Sequence, residues 1–174
     1  MKHKREMTME IWDARTRDGS LTGGTLVRGE KIPQGLYHLV CEVLVRHADG
    51  SYLAMKRDER KDVYPGWLET TAGGSALSGE TSLDCARREL LEETGIVGDA
   101  FEWIGRYTGE EYLFDSYLCT VNCSKDAVRL QEGETVGYQW MSEAEFARFA
   151  ASQKMIPRQK ERLMPYLRRM GYCK

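Results

Sequence analysis

The chain has 174 residues; 30% are charged, yet 25 Lys+Arg and 27 Asp+Glu nearly cancel to a formal net charge of −2. That length predicts one domain over residues 1–174, and a hydrophobic fraction of 41% predicts a packed core rather than a disordered chain. The near-neutral balance argues against holding a nucleic-acid polymer by bulk charge, and no apolar run is long enough for a membrane span.

In chain order, the polar, basic residues 1–8 lack the apolar stretch of a secretory signal, so a cytoplasmic protein is expected. Residues 9–28 read as a hairpin around Arg17-Asp18-Gly19-Ser20, ahead of a core over about 36–150. Leu36 to His47 is apolar and β-branched, and Asp49-Gly50 leads into a second strand from Ser51 to Arg57. Asp58 to Asp62 reads as a loop and Tyr64-Pro65-Gly66 as a turn. From Ser82 to Thr94 the period becomes helical: Leu83, Ala86, Leu90 and Thr94 share a stripe, and Gly95 is placed to end it in a left-handed cap. Strands are expected over 101–108, 112–121 and Val136 to Met141. Ser142-x-x-Glu145 is a capping box opening a short helix. Pro157 then starts an amphipathic helix over about 157–170, carrying Leu163, Tyr166, Leu167 and Met170. The class is α+β, with helices packed on a mixed sheet.

Five cysteines leave an odd one if paired, and Cys-x-x-Cys is absent. Cys119 and Cys123 lie four apart in a strand-like stretch, about 13 Å at strand rise. That separation is too long for a disulfide or a shared zinc, so small buried thiols in a reducing compartment are expected.

The chemistry concentrates in Gly73-Gly74 and the helix after it. In a helix, Glu89, Glu92 and Glu93 stand at i, i+3 and i+4, so three carboxylates share one face. Their repulsion is relieved if a divalent cation neutralises them, and oxygen-only donors point to Mg²⁺ or Mn²⁺ rather than zinc. The competing reading is a solvated acidic face. Gly73-Gly74 permits a tight turn that could aim a carbonyl at the same ion.

Gly74, Glu80, Arg88, Glu89, Leu90, Glu92, Glu93, Gly95 and Ile96 reproduce the signature of the Nudix box with no departure, and the chain resembles that family. The resemblance implies an α/β/α sandwich with a loop–helix–loop metal site. It implies that Glu89, Glu92 and Glu93, with the Gly73 carbonyl, bind Mg²⁺ or Mn²⁺. It implies that Arg88 and Glu80 hold the loop and that a small-molecule diphosphate is hydrolysed. Many relatives pair as homodimers, which extends the same expectation here.

Further segments resemble the Nudix branch related to isopentenyl-diphosphate isomerase: Gly29-Glu-x-Ile-x-x-Gly35-Leu-Tyr-His38, Lys56-Arg57, Lys61-Asp62-x-x-Pro65-Gly66-Trp67 and Val136-Gly-Tyr-Gln-Trp140. Together these cover roughly residues 9–146. Ala72 stands where that enzyme's catalytic cysteine belongs and Gly74 where a metal-binding histidine belongs, so a hydrolase is expected ahead of an isomerase of prenyl diphosphates. A nucleotide sensor without turnover is the third reading, against which the three box glutamates speak. Outside the box, Glu134, Glu110 and Glu111 compete for the role of water-orienting carboxylate. Arg57 ends a strand within reach of a phosphate. Trp67, Tyr112 and Phe114 are candidates to stack on a base or cover a prenyl chain, with core packing as the competing role. His38 reads as a core histidine.

Overall fold

A computed structural model describes residues 9–98 and 100–174; the N-terminal stretch read above as polar and basic lies outside the described residues. The elements are β1 (Ile11–Arg15), β2 (Leu21–Val27), β3 (His38–His47), β4 (Tyr52–Arg57), β5 (Leu68–Glu69), β6 (Thr71–Ser75), α1 (Ser82–Thr94), β7 (Ala100–Thr108), β8 (Tyr112–Val121), β9 (Thr135–Met141), α2 (Glu143–Ala151) and α3 (Pro157–Arg169). Strands β1 and β2 form a separate antiparallel hairpin, as expected for residues 9–28.

The main sheet runs β5-β4-β3-β8-β7, with β6 added on β3 and β9 on β4. It is mixed because β3 and β8 are parallel while the other pairs are antiparallel. The Asp49-Gly50 turn forms with Gly50 at φ 92°, yet β3 and β4 share a single register pair, Arg46 with Tyr52. Beyond it the strands part: Val40 to Leu44 pair with β6, and β4 turns to β5 and β9. This split was not expected from the sequence, and it opens the sheet where the box glycines lie.

Alternation along β3 sorts the two layers. Leu39, Cys41, Val43 and Val45 join the core that includes Cys85, Ala86 and Leu90 of α1. Leu44 points the other way, into the core formed with Phe146 of α2 and Leu163, Tyr166 and Leu167 of α3. Helices thus cover both faces of the sheet.

Helix α1 has the bounds its pattern predicts. Its Thr81 cap, which the sequence reading passed over, is a capping box: the Thr81 hydroxyl accepts from the Asp84 amide, and the Asp84 carboxylate accepts from the Thr81 amide. Gly95, at φ 69°, ends the helix by donating its amide to the Leu91 carbonyl. The buried stripe is Cys85, Ala86, Leu90 and Thr94, so Cys85 takes the place expected for the half-buried Leu83. Ser142 and Glu145 cap α2 as expected. Cys41, Cys85 and Cys119 are buried, as small apolar side chains should be, whereas Cys123 and Cys173 are only half-buried. Among the described residues, no helix is long and apolar enough to cross a membrane.

Candidate functional site

The box glycines are dictated by close approach. Strand β6 lies against β3 with Gly73 opposite Glu42 and Gly74 opposite Cys41. A Cβ on Gly73 would sit 2.2 Å from the Cys41 carbonyl oxygen, and one on Gly74 would sit 2.5 Å from Glu89 Oε1. Glycine at both positions lets α1 bring its carboxylates down onto the strand.

Arg88 organises the loop before the helix. Its Nε donates to Glu80 Oε1 at 2.7 Å, and Nη2 donates to Glu80 Oε2 at 2.9 Å and to the Ser75 carbonyl at 3.0 Å. Glu80 also accepts the Leu77 amide at 2.8 Å. The remaining Nη1 reaches Glu89 Oε1 at 2.5 Å and Glu92 Oε2 at 3.3 Å. These contacts tie Arg88 and Glu80 to each other and to the backbone of the segment before α1.

Glu93 is the distinctive group. The Gly73 amide donates to its Oε2 at 3.2 Å. Burial, reinforced by the charges of Glu69 and Glu89 and more weakly by Glu134, pushes its carboxyl up to about 8. Burial likewise raises Glu89 against the pull of Arg88, and raises Glu69 against the pull of Arg57. Each neighbouring glutamate has a cation: Arg57 for Glu69 at 2.6 Å, Arg88 for Glu89, and Lys61 for Glu134. Glu93 has none among the ion pairs of the described residues. Glu92, half exposed, stands at the outer edge.

With Arg88 holding Glu89 and Glu92 and the Gly73 amide holding Glu93, no three acidic, histidine or cysteine side chains of the described residues close on one metal-sized point. The donor set nevertheless fits a hard divalent cation. A half-buried carboxylate crowded by others and lacking a counter-charge is the group such an ion would neutralise.

The other sequence candidates separate by position. Glu134 belongs to the Glu93 cluster; Glu110 and Glu111 do not appear in it and instead line a cleft of about 1040 Å³ with Tyr112. Arg57 turns inward: Nη1 binds Glu69, and both Nε and Nη2 donate to the Val63 carbonyl. It braces Glu69 and the Val63 carbonyl with three of its five N–H groups. Trp67 is 38% exposed, sits 5.1 Å from the Tyr64 ring, and lines an apolar groove of about 860 Å³ with Phe149 and Met141. Tyr112 is half-buried, edge-on to His38 and Phe114. His38 itself is half-buried and stacks on Trp12 at 4.3 Å.

Four residues escaped the sequence reading. Glu69 lies on a two-residue strand too short to give a periodic signal, and Lys61 showed no role until its pairing with Glu134. Glu42 and Arg162 are 120 positions apart, and no local pattern joins them. Glu42, only 2% exposed, accepts Arg162 Nη2 at 2.7 Å, Arg162 Nε at 3.0 Å and the Ser116 hydroxyl at 2.7 Å.

Comparison with known proteins gives the family and the fold. A family model described as the NUDIX domain matches residues 36–165, starting after the β1–β2 hairpin and running into α3. An uncharacterised Nudix hydrolase of Listeria monocytogenes is 34% identical over 151 residues, covering 86% of this chain and 89% of the relative. One from Yersinia pestis is 38% identical over 109 residues, covering 62% of this chain and 60% of its own length. Among solved structures, DR0079 from Deinococcus radiodurans superposes with a TM-score of 0.68 at 20% identity, covering 92% of this chain and 98% of that one. The NUDIX domain of Shewanella oneidensis NrtR, solved with ADP ribose, gives a TM-score of 0.54 at 15% identity, covering 64% and 77%. At those identities the structural likeness concerns the fold alone.

Proposed function

Because the chain belongs to the Nudix family, we propose that it hydrolyses the diphosphate linkage of a small molecule with the help of Mg²⁺ or Mn²⁺. The observation that carries this reading is Glu93: a half-buried carboxylate among Glu69, Glu89 and Glu134 that has no cation of its own among the described residues. Glu89, Glu92 and Glu93, with the Gly73 carbonyl, would hold the ion. A bound divalent ion supplies charge neutralisation for phosphate oxygens and lowers the pKa of water.

The protein's own residues do the rest. Arg88 and Glu80 fix the loop that seats the carboxylates on β6. Glu93, its carboxyl raised to about 8, holds a proton at neutral pH when no cation is near; it would serve as a base toward the attacking water only where a cation's charge offsets that rise. Glu134, paired with Lys61, would orient that water, and the Arg57 guanidinium pulls the Glu69 carboxyl down against the burial that raises it. Ala72 argues against an isomerase, since its methyl group is buried in the apolar core and offers neither acid nor base. Nucleoside-diphosphate-linked compounds and prenyl diphosphates are the substrate classes to try.

The test is a panel of both classes with Mg²⁺ or Mn²⁺, scored for new phosphomonoesters. On a substrate found this way, Glu93→Gln should lower kcat by roughly 10²–10⁴-fold, the scale of losing a positioned acid–base group, while circular dichroism stays native. Turnover that persists in excess EDTA, or a folded Glu93→Gln protein within threefold of the parent, would sink the mechanism.

A further inference from the structure

The cleft of about 1040 Å³ is walled by α3, the β7–β8 turn and residues 31–37. Arg162 stands in its wall. Glu42 takes its Nε and Nη2, and the Phe114 ring lies 4.1 Å beneath its guanidinium carbon, so the side chain is fixed on two sides. Nη1 meets no protein acceptor among the described residues, and it is absent from the buried, unsatisfied atoms. It is therefore a pre-aimed donor left open to the cleft.

Three more cations line the same space. Arg17, Lys31 and Arg158 have no ion-pair partner among the described residues, and the one hydrogen bond Arg17 makes there is a 3.5 Å contact with the Tyr37 hydroxyl. Three carboxylates line the cleft as well, Glu110 and Glu111 exposed at the β7–β8 turn and Glu161 on α3, so what singles the cleft out is the fixed Arg162 fork with its open Nη1. The volume suits a sugar-phosphate-sized group.

We propose that this cleft is an anion subsite, in which Arg162, held by Glu42, donates Nη1 to a phosphoryl oxygen of the bound ligand and Arg158 and Arg17 complete its neutralisation. The subsite rests on the hydrolase reading only for the identity of the anion as a phosphoryl group. Glu42 is also what ties it to the chemistry, since its charge is felt by Glu69 and Glu69 adjoins Glu93.

The test needs no turnover. Ribose 5-phosphate, inorganic phosphate and ribose are titrated into the full chain in EDTA and followed by amide chemical shifts. Ribose 5-phosphate should move the Gly35, Gly109 and Tyr112 amides and bind at least about tenfold more tightly than ribose, with affinity falling as salt rises. Shifts from inorganic phosphate at the same amides mark recognition of the phosphate itself; their absence marks a phosphomonoester that needs its sugar. Both support the subsite. Arg158→Gln with Arg17→Gln should weaken binding about tenfold or more, whereas Arg169→Gln, remote on α3 and paired with Glu102, should not. Arg162→Lys keeps a charge beside Glu42 but lacks the fork, and should also weaken binding while the fold persists. Equal affinity for ribose and its phosphate, or binding indifferent to the Arg17 and Arg158 changes, overturns the subsite. Because no metal is present, that failure is distinct from a failure to hydrolyse diphosphates.

Discussion

Glu93 shows how one residue draws its meaning from its surroundings. On the helix surface a glutamate is a solvated charge, but here burial and two neighbouring carboxylates raise its carboxyl from an ordinary 4.5 to about 8. Between those values the native state keeps a proton that the unfolded chain has released. Native stability without metal should therefore fall as pH rises from about 5 to 8, and Glu89 and Glu69, shifted upward by burial, act in the same direction. We expect the Tm in EDTA to drop by at least about 5 °C across that range. Glu93→Gln should make the slope shallower, and Mg²⁺ should raise the Tm most at the alkaline end, where the carboxylates are ionised. Thermal melts at several pH values, with and without metal, check this; a flat profile in EDTA would contradict the buried cluster.

At the scale of elements, α1 does two jobs: its apolar stripe anchors it on β3 and β6, and its acidic face is the site. The caps fix where along the strand that face lands. Thr81 satisfies the first turn and Gly95 the last, so the register of Glu89 against Gly74 depends on both ends. Thr81→Ala should cost about 1 kcal/mol of unfolding free energy, measured by urea denaturation, since it leaves a first-turn amide without its acceptor. Glu145→Gln, in the capping box of α2 far from the carboxylates, is the control and should change activity by less than about twofold.

Across the whole molecule, α3 is bound to the sheet by more than its apolar face. Arg162 meets Glu42 inside the layer, Gln159 is buried and hydrogen-bonded to Thr70 and Thr71, and the Tyr166 hydroxyl meets that of Tyr52 at 2.6 Å. Two of these contacts reach Thr71 of β6 and Thr70 just after β5, next to the segments that carry Gly73 and Glu69. Arg162→Met should destabilise the protein by about 3–5 kcal/mol, because Glu42 is left as a buried charge without a partner. Adding Glu42→Gln should recover part of that loss in denaturant melts; no recovery would mean that packing, not charge, is what Arg162 supplies.

Much of this was legible in the residues themselves. Periodicity, Gly95 and Pro157 placed the helices, and the i, i+3, i+4 glutamates with the full box marked the carboxylate face, because these signals lie within one or two helical turns. Asp49-Gly50 marked its turn for the same reason. What the sequence could not supply are relations between distant segments. Nothing local says that β3 and β4 part after one pair to admit β6, that Arg57 folds back on Glu69, or that Arg162 crosses 120 positions to neutralise Glu42. Nor does the spacing of Glu89, Glu92 and Glu93 say which of them is buried. Desolvation and charge coupling depend on what packs above a side chain, so only the tertiary structure made Glu93 a proton-holding carboxylate and left Glu92 in solvent.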